Sequence, residues 1–159
     1  MTTCIIRDSE EDEKRVLYWM NGNRDAAVFV LQFFYVCHLW DDLVDKDRDR
    51  TEEEVNQAFQ LLMLDIQENP FYIAHIRSLN PVIRCAVNDW YIANSLERSG
   101  DSHSQDISYT LSCSILSVIT HAAYLVGGTE WVKKVGPEIR RYGQEHTLED
   151  YKRGIPCHP

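Results

Sequence analysis

The chain has 159 residues, with 16 Lys plus Arg against 25 Asp plus Glu and a formal charge of −9. That length suits one domain with a real core and is too short for two ordinary ones. The composition, 44% apolar and 26% charged, is that of a folded chain. Its acidity excludes the basic footprint of a nucleic-acid binder and disfavours an anionic membrane surface.

Five scattered cysteines (Cys4, Cys37, Cys85, Cys113, Cys157) form no CxxC pair, so neither a zinc ribbon nor a disulfide framework is suggested. No secretory signal is visible, and no run reaches the ~18 apolar residues of a membrane span. The reading is a reducing, cytoplasmic compartment.

In chain order, Ser9 with Asp12 and Glu13 opens a first helix that Gly22 and Asn23 close. A second runs from near Asp25 to Asp45, and Arg48-Asp49-Arg50 is the turn. Thr51 caps a third, with Glu52, Glu53 and Glu54 in its first turn and Phe59, Leu62 and Ile66 as its buried stripe. Asn69-Pro70 ends it, and residues 71–80 form a connection. Pro81 then opens a fourth helix that ends near Gly100. A fifth helix covers 103–126 and stops at Gly127-Gly128. A sixth covers 129–142, bent or broken at Gly136-Pro137. Residues 152–159, with two prolines, read as an irregular tail after a single helical domain over 1–151. The expected fold is all-α, one antiparallel bundle of about six helices.

Short loops make neighbouring helices antiparallel. They carry Asp41, Asp42 and Asp45 to the same end of the bundle as Asn94, Glu97, Arg98, His103 and Asp106. His38, Asp41, Asp42 and Asp45 share one helical face at spacings of three, four and seven. Three aspartates late in a helix repel one another and oppose the helix dipole. A cation relieves that conflict, and Mg²⁺ favours one or two carboxylates completed by waters and substrate phosphates. The competing reading is a solvated acidic helix end, partly neutralised by Lys46, Arg48 and Arg50. On the fourth helix, Asp89, Ala93 and Glu97 share one face at four-residue steps, and Asp89 and Glu97, flanked by Asn88 and Asn94, form a candidate second donor set.

The run Phe33-Phe34-Tyr35-Val36-Cys37-His38-Leu39-Trp40-Asp41-Asp42-Leu43-Val44-Asp45 resembles the aromatic, aspartate-rich metal motif of class I terpene synthases and isoprenyl diphosphate synthases. Asn88-Asp89 followed by Glu97 is similar to that family's second metal motif, with Ala93 where the family has a hydroxyl. Arg141-Tyr142 is similar to a late pair that contacts diphosphate in some members. The resemblance implies an isoprenoid-synthase-like all-helical fold. It assigns metal ligation to Asp41, Asp42, Asp45, Asp89 and Glu97, and diphosphate contact to Arg141 and Tyr142. The metal is Mg²⁺, or Mn²⁺ in its place, and the reaction is ionisation or transfer of a prenyl diphosphate. The chain is short for that family, which leaves room for completion as a homodimer.

Two alternatives stay open. All-α nucleotide pyrophosphohydrolases also hold Mg²⁺ on paired helices, and Asp65 and Glu68 after Asp42 and Asp45 resemble their spacing. A metal phosphohydrolase using His38 and His103 is a variant of that reading. The last alternative is a non-enzymatic helical protein whose acidic face meets a partner. His121 reads as a core histidine. Ser108, Ser112, Ser114 and Ser117 read as helix-packing residues, since no GxSxG elbow accompanies them.

Overall fold

In the computed structural model, which describes residues 10–46, 48–144 and 146–154, α1 (Glu10–Trp19) opens on four acidic residues that suit its dipole. The cap expected at Ser9 lies outside the described residues. The helix closes with two backbone bonds, Gly22 N–H to the Leu17 carbonyl and Asn21 N–H to the Tyr18 carbonyl, both 2.9 Å. These need left-handed backbone, which Asn21 (φ 52°) and Gly22 (φ 78°) supply. The Asn23 side chain then accepts from Ala26 N–H at 3.0 Å and starts α2 (Arg24–Asp45). Ala26, Phe29, Val30, Phe33 and Phe34 recur at three- and four-residue steps and are buried.

A reciprocal capping box of Thr51 and Glu54 begins α3 (Glu52–Gln60). The chain continues through a π-helical turn, Leu61–Asp65, into the short α4 (Ile66–Glu68). This overturns part of the expected stripe. Ile66 is 3% exposed, but Phe59 is 56% and Leu62 44% exposed. The wider π turn rotates the residues before it relative to Ile66, so one face cannot bury all three.

Asn69, accepting from Tyr72 N–H at 3.0 Å, caps α5 (Pro70–Glu97), with Pro70 in its first turn. The expected connection over 71–80 is therefore helix, and Pro81 lies inside α5 rather than at its start. Pro81 removes the bond to the Arg77 carbonyl. Arg77, Asn80 and Pro81 are all exposed, so the freed carbonyl lies on the solvent side, where its loss of a partner costs little.

The expected 103–126 helix is interrupted as well. Asp101 caps α6 (Ser102–Ser112), and bonds of the i→i+3 type around Cys113, Ser114 and Ile115 separate it from α7 (Leu116–Gly143). At Gly128 (φ 70°, ψ −171°) the backbone of α7 leaves the helical region. Arg140 reaches Ser117 Oγ at 2.9 Å, whereas a straight helix would separate these residues by ~35 Å. The two halves of α7 therefore fold back on each other. A Cβ on Gly127 would lie 2.4 Å from Trp131 Cγ, so glycine is needed at this reversal. The second half runs helically through Pro137 to Gly143, without the expected break. Finally α8 (Leu148–Gly154) includes Lys152, Arg153 and Gly154, so the first residues of the expected tail are helical.

Rings fix how these elements lie. Phe29 meets Phe71 at 5.8 Å and Tyr72 at 5.4 Å, while Trp40 meets Trp90 at 4.3 Å. Hence α2 and α5 run in the same direction, with α3 returning beside α2. Trp19, Phe29, Phe34, Leu79, Leu116, Ile119 and Ile139 form the centre of the core. No strand occurs among the described residues, and the helices contact one another as in a bundle. By length and hydropathy alone α2 and the 102–154 stretch fall in the range of a membrane span. The latter is not one continuous helix, and α2 buries Phe29, Phe33 and Phe34 in the core.

Candidate functional site

The last two turns of α2 carry the aspartates. Lys46 ends the helix in a left-handed conformation (φ 57°), and its N–H bonds the Asp42 carbonyl at 2.9 Å. Asp41 faces α5, where its Oδ1 accepts the Trp90 indole N–H at 2.9 Å. Asp42 turns toward the following loop. Its Oδ2 accepts from Arg50 Nε at 2.6 Å, and Arg50 Nη2 closes on the same oxygen. Arg50 also donates from Nη1 to Glu54 Oε1 at 2.8 Å, and its side chain is only 10% exposed.

Burial of Arg50 works against its charge, but Glu54 and Asp42 outweigh this and raise its pKa. Glu54, held by the Thr51 backbone N–H and then by Arg50, is pushed down to about 2. Burial pushes His38 down to about 4, with Asp42 opposing and Arg50 reinforcing the shift. His38 Nε2 is buried without a hydrogen-bond partner, so the imidazole is neutral at physiological pH. The Cys37 thiol is pushed up to about 12 by burial and then by Asp41. It is therefore protonated and inert as a nucleophile.

The same two turns of α2 line two cavities. One, of about 390 Å³, is almost wholly apolar and lies between α2, α3 and α5. Phe33, Val36, Trp40 and Leu43 face Ala58, Phe59, Leu62, Ile83 and Val87 across it. The other is a cleft of about 50 Å³ lined by His38, Asp41, Trp90 and Ser112; it shares Cys37, Trp40 and Val87 with the first. An apolar chamber thus adjoins a polar cleft along a single helix.

The second donor set does not meet the first. Beside the aspartates, Trp90 and Tyr91 of α5 meet α2, Trp90 through Asp41 and Trp40 and Tyr91 through Trp40, and Asp89 sits about 100° round the helix from Trp90. Glu97 lies seven residues beyond Trp90, ~10 Å further along the axis. There Glu97 Oε2 accepts the Tyr151 hydroxyl at 2.6 Å. Ala93 is buried, and its carbonyl accepts from Ser108 Oγ at 2.8 Å; Ser108 also meets the Tyr151 hydroxyl at 2.8 Å. Asp106 pairs with Lys152. Asn94 is half-buried, while Arg98 and His103 are exposed. Tyr142 donates to Asp12 of α1 and packs edge-on against Trp19 at 5.5 Å. Arg141 is exposed, its Nε bonded to the Pro137 carbonyl at 3.3 Å.

Among the described residues no three His, Cys, Asp or Glu side chains gather closely enough to hold a metal ion by themselves. Sequence reasoning placed Arg50 among the cations that neutralise the aspartates, and the structure makes it the partner of Asp42; it missed Trp90 as the partner of Asp41 and the buried pair Ser108–Tyr151. Only Arg50 had a signal in the sequence: it is a cation one turn before the Glu54 of a capping box. No family model matches the chain, and neither a curated protein nor a solved structure matches it.

Proposed function

We propose that the chain binds a prenyl diphosphate with Mg²⁺ and ionises or transfers its prenyl group, on an isoprenoid-synthase-like helical fold. The observation that carries this reading is the sharing of α2: Trp40 and Leu43 line an apolar chamber of about 390 Å³, while Asp41, Asp42 and Asp45 occupy the intervening and adjoining positions. One ligand with an apolar chain and an anionic head matches both features.

The donor chemistry fits the metal. Aspartate oxygens are hard ligands, and Mg²⁺ needs only one or two of them when phosphate oxygens and water complete its shell. The absence of a three-residue cluster among the described residues is consistent with such a shared site. When bound, the metal neutralises the diphosphate and stabilises charge on the departing group. In this reading Asp41 and Asp42 hold the metal-bound head. The Trp90 indole fixes the rotamer of Asp41. Trp40 offers a ring face to positive charge in the chain, and the apolar lining limits water at the reacting carbon. Arg50, already beside Asp42, is a cation available to the diphosphate. In this reading Glu97, Asp89, Arg141 and Tyr142 stand outside the first contact with the head group.

The pyrophosphohydrolase reading has less support, because Asp65 lies 13 residues beyond Glu52, ~20 Å down the returning helix. The non-enzymatic reading draws on the neutralisation of Asp42 by Arg50. Incubation with geranyl and farnesyl diphosphates in Mg²⁺, followed by pyrophosphate assay, tests the proposal. Metal-dependent release is expected from the native chain and not from Asp41→Asn/Asp42→Asn.

A further inference from the structure

We propose that the groove between the two halves of α7 binds a small aromatic carboxylate, with Arg140 taking the carboxylate and the ring lying against Tyr124. The groove has a volume of about 300 Å³, within the range of small-ligand sites. It shares no lining residue with the apolar chamber or with the cleft beside Asp41. The reversal at Gly128 creates it. His121 and Tyr124 line it from the first half of α7, Thr129, Val132 and Arg140 from the second, and Val82 from α5. Val132, Gly136 and Arg140 follow at four-residue steps, so a glycine lies between two lining residues on one helical face. Among side chains, a Cβ on Gly136 would approach Val132 alone, at 3.6 Å. The floor between Val132 and Arg140 is therefore open.

In a chain of formal charge −9, no acidic side chain is found among the described residues that line this groove. Arg50, Lys152 and Arg153 pair with carboxylates. Arg140 instead donates from Nη1 to the Cys113 carbonyl at 3.4 Å and from Nη2 to Ser117 Oγ at 2.9 Å. These bonds orient the guanidinium without neutralising it, and they leave N–H groups for an incoming carboxylate. Ser117 keeps its own hydroxyl hydrogen, and the exposed Tyr124 and Thr129 hydroxyls can also donate. His121 Nε2 lies 2.7 Å from Ser78 Oγ, and its ring stacks on Tyr124 at 5.9 Å. That pair is a fixed flat wall on which an aromatic ring can lie. Burial, then His75, lowers the His121 pKa, so Arg140 carries the one positive charge among the described lining residues at physiological pH. One guanidinium matches one carboxylate. A diphosphate would need a metal, and no carboxylate lines the groove to hold it. Val82 and Val132 supply apolar contact for the body of the ligand.

The test is titration of the full chain with benzoate, acetate and inorganic phosphate, followed by amide NMR at fixed ionic strength with divalent cations chelated. Benzoate is expected to bind saturably, with shifts centred on Tyr124 and Arg140, and more tightly than acetate or phosphate. Arg140→Gln is expected to weaken benzoate binding by roughly tenfold or more, as loss of a charge-assisted hydrogen bond would. Thr129→Glu, at an exposed position, puts a carboxylate into the groove and is expected to weaken binding as much with unchanged helical circular dichroism. The second variant decides the matter if Arg140→Gln does not fold. No saturable benzoate binding overturns the proposal. So does binding that neither variant weakens, or an affinity for benzoate no greater than for acetate and phosphate. The chelated buffer and the separate lining keep either result independent of Mg²⁺ and diphosphate binding at Asp41 and Asp42.

Discussion

Arg50 and Asp42 are eight residues apart, and the chain reverses between them so that the guanidinium closes on the carboxylate with both side chains 15% exposed or less. This pair joins the end of α2 to the start of α3 and sets the geometry of the aspartate-bearing turn. Removing one partner leaves a charge in a poorly solvated place. Arg50→Gln is therefore expected to destabilise the fold by ~2–4 kcal/mol, measured by urea unfolding. The double change Arg50→Gln/Asp42→Asn should recover part of that loss, because the Asp42 charge is then no longer stranded and Glu54 keeps the Thr51 backbone N–H. A single variant with native stability would mean that the pair is effectively solvated.

Trp90 separates hydrogen bonding from packing. Trp90→Phe keeps an aromatic ring beside Trp40 and removes the N–H that Asp41 accepts. The expected cost is ~1–2 kcal/mol, a fall of roughly 3–6 °C in Tm. An unchanged Tm would show that Asp41 is held by other contacts.

His38 and Glu54 act in different pH windows. His38 has its folded pKa lowered to about 4 from 6.5. Between those values the unfolded chain binds the extra proton, so stability falls as pH drops from 6.5 to 4, by on the order of 2–3 kcal/mol. His38→Phe should abolish that slope, and NMR of the native imidazole should titrate near pH 4. Glu54 is lowered to about 2 from 4.5. Its contribution is complete above pH 4.5 and is lost as pH falls toward 2, and Glu54→Gln should flatten only that acid limb.

Filling the chamber tests its emptiness. Ala58 is 3% exposed and lines it. Ala58→Leu should change stability by less than ~1 kcal/mol, because the added methyl groups enter open space rather than a packed core. It should also abolish uptake of a fluorescent apolar probe. A loss of several kcal/mol would mean that the space is not available.

Much of the helical order was legible because local chemistry decided it: the Thr51–Glu54 box, the stop at Gly22 and the apolar periodicity of α2 are short-range signals, although Asn23, read with Gly22 as the end of α1, instead caps α2. Pro81 misled because its cost depends on whether the Arg77 carbonyl meets water, which is a tertiary fact. Phe59 and Leu62 misled because a π turn leaves no trace in a 3.6-residue pattern. The aspartate face was readable within α2, since spacing along one helix is fixed. Its partners on α5 were not, because a rotation of one residue exchanges Asp89 for Trp90 and nothing in the sequence sets that rotation.

The most direct test of the central claim is calorimetric titration of Mg²⁺ into the native protein with and without pyrophosphate, beside Asp41→Asn/Asp42→Asn. The account predicts Mg²⁺ binding that pyrophosphate strengthens and the double variant loses. No heat under either condition, with the protein folded, would contradict it and leave the three aspartates as a charged helix end held by Trp90 and Arg50.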